Sequence, residues 1–62
     1  MLTNRETEIA GMVASGLTNV EIAQELCISH RTVETHVDNI KRKLGVKRRA
    51  HVVAWALRSA VA

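Results

Sequence analysis

The sequence has no proline, phenylalanine or tyrosine, and only one tryptophan and one cysteine. A core made without those residues has to come from Leu, Ile, Val, Ala and Met, a palette that suits helices. A lone cysteine forms no internal disulfide, which excludes the stapled scaffolds of small secreted proteins and makes the cytoplasm the expected home. No apolar run reaches the roughly 18 residues of a membrane span, and the N-terminus lacks the charged-then-apolar pattern of a signal peptide. A soluble protein with no membrane partner is expected. Repeats, low-complexity tracts and long linkers are also missing, so the chain reads as an excised or free-standing module, a single domain over residues 1–62. A chain of this length buries only about 60% of its unfolded surface, so its packing must be economical.

The charge that is there is unevenly placed. Nine Lys and Arg against six Asp and Glu leave a net +3, the sign that a nucleic-acid partner requires, and the distribution carries the argument further. Every acidic residue precedes Val46, whereas Lys41, Arg42, Lys43, Lys47, Arg48 and Arg49 crowd around Gly45. Upstream, Asn19 to Asp38 reads as a short helix, a tight turn and a second helix. Ile22, Ala23 and Leu26 share one side of the first. Val33, Val37, Ile40 and Leu44 recur at the spacing of one helical face in the second. Ile28 anchors the turn, Ser29 can cap the new helix, and Ala23 is small where two helices joined so tightly approach each other.

Punctuation along the chain sets the remaining elements. Thr3-Asn4-Arg5-Glu6 and Thr18-Asn19-Val20-Glu21 both have the form of a capping box, and Gly16 and Gly45 suit helix ends. The pattern predicts an all-α domain of four helices, over about 4–15, 19–25, 30–44 and 48–60. In the first helix Ile9, Ala10, Met12 and Val13 form the buried stripe. With Val33 inward, Arg31, Thr35, Asp38 and Arg42 face outward on the third helix and Glu34 flanks them. In the fourth, Ala50, Val53, Leu57 and Ala60 are expected on the core, which leaves Trp55, with Val52 and Ser59 beside it, on the opposite stripe as a surface for a partner.

Together LTNRETEI, GLTNVEIAQEL, ISHRTVETHVDNIKRKLGV and RRAHVVAWA resemble the LuxR-type helix-turn-helix domain of bacterial transcription regulators, in order and spacing, over nearly the whole chain. The resemblance implies a DNA-binding effector domain with its helix-turn-helix at residues 19–38 and its third helix in the major groove. It also implies phosphate contacts from Thr18, Asn19 and the basic end of the third helix, and a fourth helix that pairs two copies over a two-fold site. The expected DNA contacts are then Thr18, Asn19, Arg31, Thr32, Glu34, Thr35, Asp38, Lys41, Arg42, Lys43, Lys47, Arg48 and Arg49, and the expected dimer contacts Val52, Trp55 and Ser59. Double-stranded DNA, a second copy of the chain and RNA polymerase are the expected partners. The chain departs from the family at Glu34 and Asp38, where donors are common.

Blander readings stand beside these. Arg31, Thr35 and Arg42 on an arbitrary helix would be a solvated face, but on a recognition helix an Arg suits phosphate or guanine. Glu34 and Asp38 are either acids balancing Lys41 and Arg42 or acceptors for a cytosine amino group. The basic cluster would complement the negative end of the third helix even without DNA, and Thr18 and Asn19 would serve as caps alone. His36 is expected to pack or hydrogen-bond, and Cys27 to be a small apolar turn residue. Cys27, His30 and His36 are the only soft ligands near one another, but the two histidines project about 120° apart and no fourth ligand follows. No cofactor, metal or catalysis is expected, since so small a bundle has little room for a water-excluding pocket. Two other readings remain: a domain like region 4 of a sigma factor, and a helical protein-interaction module that has lost DNA.

Overall fold

A computed structural model describes residues 1–61, and side chains through residue 59. Its elements are α1 (Asn4–Ala14), α2 (Asn19–Leu26), α3 (His30–Leu44) and α4 (Arg49–Val61), with no strand among the described residues. The all-α architecture and the helix ends agree closely with the sequence expectation, because hydrogen-bonding side chains mark the starts. The Thr3 hydroxyl accepts from the Glu6 N–H at 3.1 Å while the Glu6 carboxylate accepts from the Thr3 N–H at 2.8 Å. Thr18 and Glu21 repeat the exchange at 3.2 and 2.8 Å. Ser29 opens α3 by accepting from the Thr32 N–H at 3.1 Å. Each bond satisfies a donor that a helix start leaves open.

The three connections share one closing pattern, in which a left-handed residue lets the following N–H reach back to a carbonyl of the last turn. Leu17 donates to Met12 O at 3.2 Å, Ile28 to Ala23 O at 3.1 Å and Val46 to Lys41 O at 2.9 Å. Gly45, at φ 69°, takes the left-handed position after α3 without a side-chain clash. Cys27 takes the same position after α2 at φ 56°, where a Cβ costs about 1–2 kcal/mol. It occupies the turn as expected, but as an exposed residue. What it supplies there is backbone shape, bringing α3 back across α2.

Ile9, Ala10 and Val13 of α1, Ile22 and Ala23 of α2, and Val33, Val37 and Ile40 of α3 form one buried cluster, joined by Val52 of α4. Ala23, 7% exposed, is buried in this cluster, and α2 packs against α3. Met12, expected in the core, is only partly covered. Half-buried Leu26, Ile28 and Leu44 close the rim. No helix among the described residues is long and apolar enough to cross a membrane.

The rotation of α4 corrects the sequence expectation. Val52 is fully buried and Trp55 packs half-buried against the same core, so neither stands on a free stripe. Leu57, expected inward, is 54% exposed, and Ala50 is exposed as well. Val53 is partly buried, and the side chain of Ala60 lies outside those described. The cause is composition. Residues 50 to 57 are apolar apart from His51, so periodicity marks no single face, and burying the larger ring covers more apolar area. Trp55 accordingly borders two shallow hollows, one with Leu2, Lys43 and Leu44 and one with Thr7, Gly11 and Ala56.

Candidate nucleic-acid interface

One face of α3 is core and the other is polar and exposed. Arg31, Thr32, Glu34, Thr35, Asp38 and Arg42 all lie on the exposed side. The Thr35 hydroxyl donates to Arg31 O at 3.1 Å, which commits its proton and leaves a methyl group and lone pairs facing out. The Ser29 and Thr32 hydroxyls share a hydrogen bond at 2.7 Å, so Thr32 is held at the helix start. Glu34 lies 3.7 Å from His30, a pair that is ionic only when the imidazole is protonated. Among the described residues no ion pair joins Glu34 or Asp38 to Lys41 or Arg42. Asp38 is therefore not consumed by the helical ion pairs that its spacing allows, and the partner within reach of Glu34 is His30.

Three helices converge beside this face. Asn19 from α2, Glu34, Val37, Asp38 and Lys41 from α3, and Arg49 from α4 line a recess of about 400 Å³. Thr18, the cap of α2, is exposed just before Asn19. Lys47 and Arg48 are exposed in the turn between α3 and α4, and Arg42 on the last turn of α3. Ser59 is exposed on α4, while Val52 and Trp55 belong to the core as described.

Two members of the basic cluster are engaged inside the fold. Lys43 donates from Nζ to Glu6 Oε1 at 2.8 Å, tying α3 to the start of α1. Glu6 is a capping residue whose side chain is only 6% exposed, and this ion pair is what satisfies its charge. Arg49 donates from Nη1 to Asn19 Oδ1 at 2.7 Å and from Nη2 to Leu17 O at 2.8 Å. Lys43 and Arg49, both expected at phosphates, thus already hold hydrogen-bond partners within the fold, although Lys43 stays 38% exposed. Sequence reasoning missed both links since the partners lie 37 and 30 positions apart, far beyond any helical period. His36 is half-buried and its Nδ1 is buried with no hydrogen-bond partner among the described residues, so that nitrogen packs without bonding.

The Lys43 hydrogen bond, helped by the Thr3 N–H, holds the Glu6 carboxyl below its usual range against the opposing effect of burial. A carboxylate with a lowered folded pKa stabilises the fold above its unfolded pKa of about 4.3, and that stability is lost as pH falls through the lower folded value. Glu6→Gln should thus lower the melting temperature near neutral pH, with the gap to wild type closing as pH drops below about 4. Melts at several pH values check this, and a gap that stays constant down to pH 2 would remove the ionic contribution.

Residues 1–56 match bacterial regulatory proteins of the luxR family. The chain belongs to the LuxR family. The LuxR-family domain is 50% identical over 60 residues to the uncharacterized response regulatory protein YgeK of Escherichia coli, covering 97% of this chain and 41% of that protein. It is 46% identical over 56 residues to the CsgBAC operon transcriptional regulatory protein of the same organism, covering 90% of this chain and 26% of that one. Against the transcriptional regulatory protein LiaR of Bacillus subtilis it is 47% identical over 58 residues, covering 94% and 28%. The chain thus spans about a quarter to two fifths of the length of these relatives. In this LuxR-family domain a short turn joins α2 to α3, and the recess lies where the two meet α4.

Proposed function

We propose that the domain binds double-stranded DNA as the effector part of a cytoplasmic transcription regulator, with α3 in the major groove and two copies paired through α4. The observation that carries this reading is the asymmetry of α3. Its inner face is buried to the last turn, while its outer face is polar and bordered by the α2 N-terminus on one side and by Lys41, Arg42, Lys47 and Arg48 at its end. A helix shown to solvent in this way fits a groove, and cations at its margin fit the flanking phosphates. Arg31 and Arg42 offer guanidinium donors to guanine or phosphate, and Thr35 offers its methyl group to thymine. RNA polymerase is a further partner of a protein in this role.

Salt dependence tests the reading directly. With Lys43 and Arg49 engaged internally, Lys41, Lys47 and Arg48 remain as the main phosphate neutralisers. Three such contacts give a slope of log affinity against log salt of about −2.7 per subunit. Fluorescence anisotropy on a labelled duplex measures it, and a slope near zero would refute the assignment. Removing the charge of Arg48 should weaken all sequences alike, since phosphate contacts carry no base information.

Glu34 is proposed to read rather than to hold. A carboxylate in the groove repels phosphate but accepts from a cytosine amino group, so Glu34→Ala should alter base preference by about 1–3 kcal/mol at one position while changing overall affinity little. Selection from random duplexes with wild type and variant measures the change. Superimposable preferences would return Glu34 to an ordinary exposed acid.

A further inference from the structure

Arg49 is the first residue of α4, yet both of its hydrogen bonds reach the start of α2. A guanidinium only donates, so the Asn19 amide must turn its oxygen toward Arg49 and its NH2 group away from it. The second branch of the fork holds Leu17 O, the last carbonyl before the Thr18 cap. The two bonds together fix both the side chain of Asn19 and the backbone that leads into it. Thr18 pairs with the Glu21 N–H, and the first N–H groups of α2 have no partner within the helix. Asn19 and Arg49 also line the recess that Asp38 and Lys41 of α3 share.

We infer that Arg49 is a positioning residue for phosphate binding: it makes no phosphate contact of its own and acts by holding Asn19 so that the amide NH2 joins the open N–H groups of α2 as one set of donors for a DNA phosphate. The inference rests on the DNA-binding reading above and assigns Arg49 a role different from that of its neighbours Lys47 and Arg48. The planar fork aims one N–H from each of two nitrogens at the two acceptors; a lysine ammonium carries the same charge on a single nitrogen without that geometry. A neutral donor adds affinity without releasing a counterion, so the contribution of Arg49 is separable from that of a charge laid on the backbone.

The experiment is anisotropy on a duplex over a range of KCl concentrations, with thermal melts of every variant so that binding is compared well below each transition. Arg49→Lys should weaken binding about tenfold with an unchanged salt slope, and should have a much smaller effect in an Asn19→Ala background, where only the Leu17 carbonyl is left to hold. Arg49→Lys binding as wild type, or acting additively with Asn19→Ala, would overturn the inference. So would Arg49→Gln lowering the slope by about 0.9 per subunit, the signature of a direct phosphate contact. Should the Arg49 variants fail to fold, Asn19→Asp decides the matter. It keeps an acceptor for Arg49 and places an acid at a helix start, so it should fold as well as wild type while losing at least tenfold in affinity; undiminished binding overturns the proposal. A wild-type domain with no salt-sensitive duplex binding would instead remove the underlying DNA reading, an outcome distinct from any of these.

Discussion

Trp55→Ala should destabilise the isolated domain by about 2–3 kcal/mol, just under the range of about 3–5 kcal/mol for losing a fully buried ring, since this one is half covered. Total stability for a chain of this size is about 3–9 kcal/mol at 0.05–0.15 kcal/mol per residue, so the loss is a large share of it. At about 4–8 °C per kcal/mol, the transition should fall by roughly 10–20 °C. The ring packs on a cluster that α1, α3 and α4 all contribute to, and the chain holds no other aromatic that could move into the space. Val52→Ala should act in the same direction with a smaller effect, as fewer buried methyl groups are removed. Thermal melts followed by circular dichroism measure both. A Trp55→Ala variant that melts like wild type would return the ring to the surface and undo the rotation assigned to α4.

Trp55 also shows where the sequence was legible and where it was not. Helix ends could be read because each is a local event: Thr3 with Glu6, Thr18 with Glu21, Ser29 with Thr32, and Gly45 in a left-handed turn are all settled within a few residues. The inner face of α3 was equally readable, since Val33, Val37 and Ile40 alternate with charged residues and only one rotation buries the apolar set. The fourth helix offers no such contrast. Ala50, Val52, Val53, Ala54, Trp55, Ala56 and Leu57 surround its axis, so several rotations bury a plausible stripe, and packing against α1 decides among them.

The candidate interface divides along the same line. Arg31, Thr32, Glu34, Thr35, Asp38 and Arg42 lie on the exposed face because helical geometry alone puts them there. The fates of Lys43 and Arg49 were hidden, since a run of basic residues looks uniform in sequence whichever partners its members find in space. Glu6 explains why one exposed lysine is engaged: its carboxylate is nearly buried and requires a cation. Asn19 and Leu17 O supply the acceptors that draw Arg49 away from the cluster. What remains of the cluster is smaller and more localised than the sequence count implies, and it lies where α3 ends and α4 begins.

Leu57→Glu should cut affinity for a paired, two-fold site by about a hundredfold while leaving single half-site binding and the melting temperature nearly unchanged. Turning Val52 and Trp55 inward leaves Ala50, Ala54 and Leu57 exposed at the i, i+4, i+7 spacing of one face of α4. The proposed pairing surface therefore moves to that stripe, with Leu57 as its largest apolar side chain. One helix per subunit buries less than the roughly 1,200 Å² of a standard interface, so the pair should be weak in free solution. A shared DNA site supplies the missing association by raising the effective concentration of the second copy, and gains of about 10²–10⁴ in avidity are typical of such linkage. Glutamates facing each other across a two-fold axis would repel as well as remove an apolar contact, which is why Glu is a sharper test than Ala. The substitution is exposed, so its effect on folding should stay within about 0.5 kcal/mol. Anisotropy titrations on duplexes with one and two half-sites, at fixed salt, separate the two contributions. Equal affinity of wild type and variant for the paired duplex would place the pairing surface elsewhere, and equal losses on both duplexes would mean that Leu57 supports the DNA-facing helices rather than a second copy.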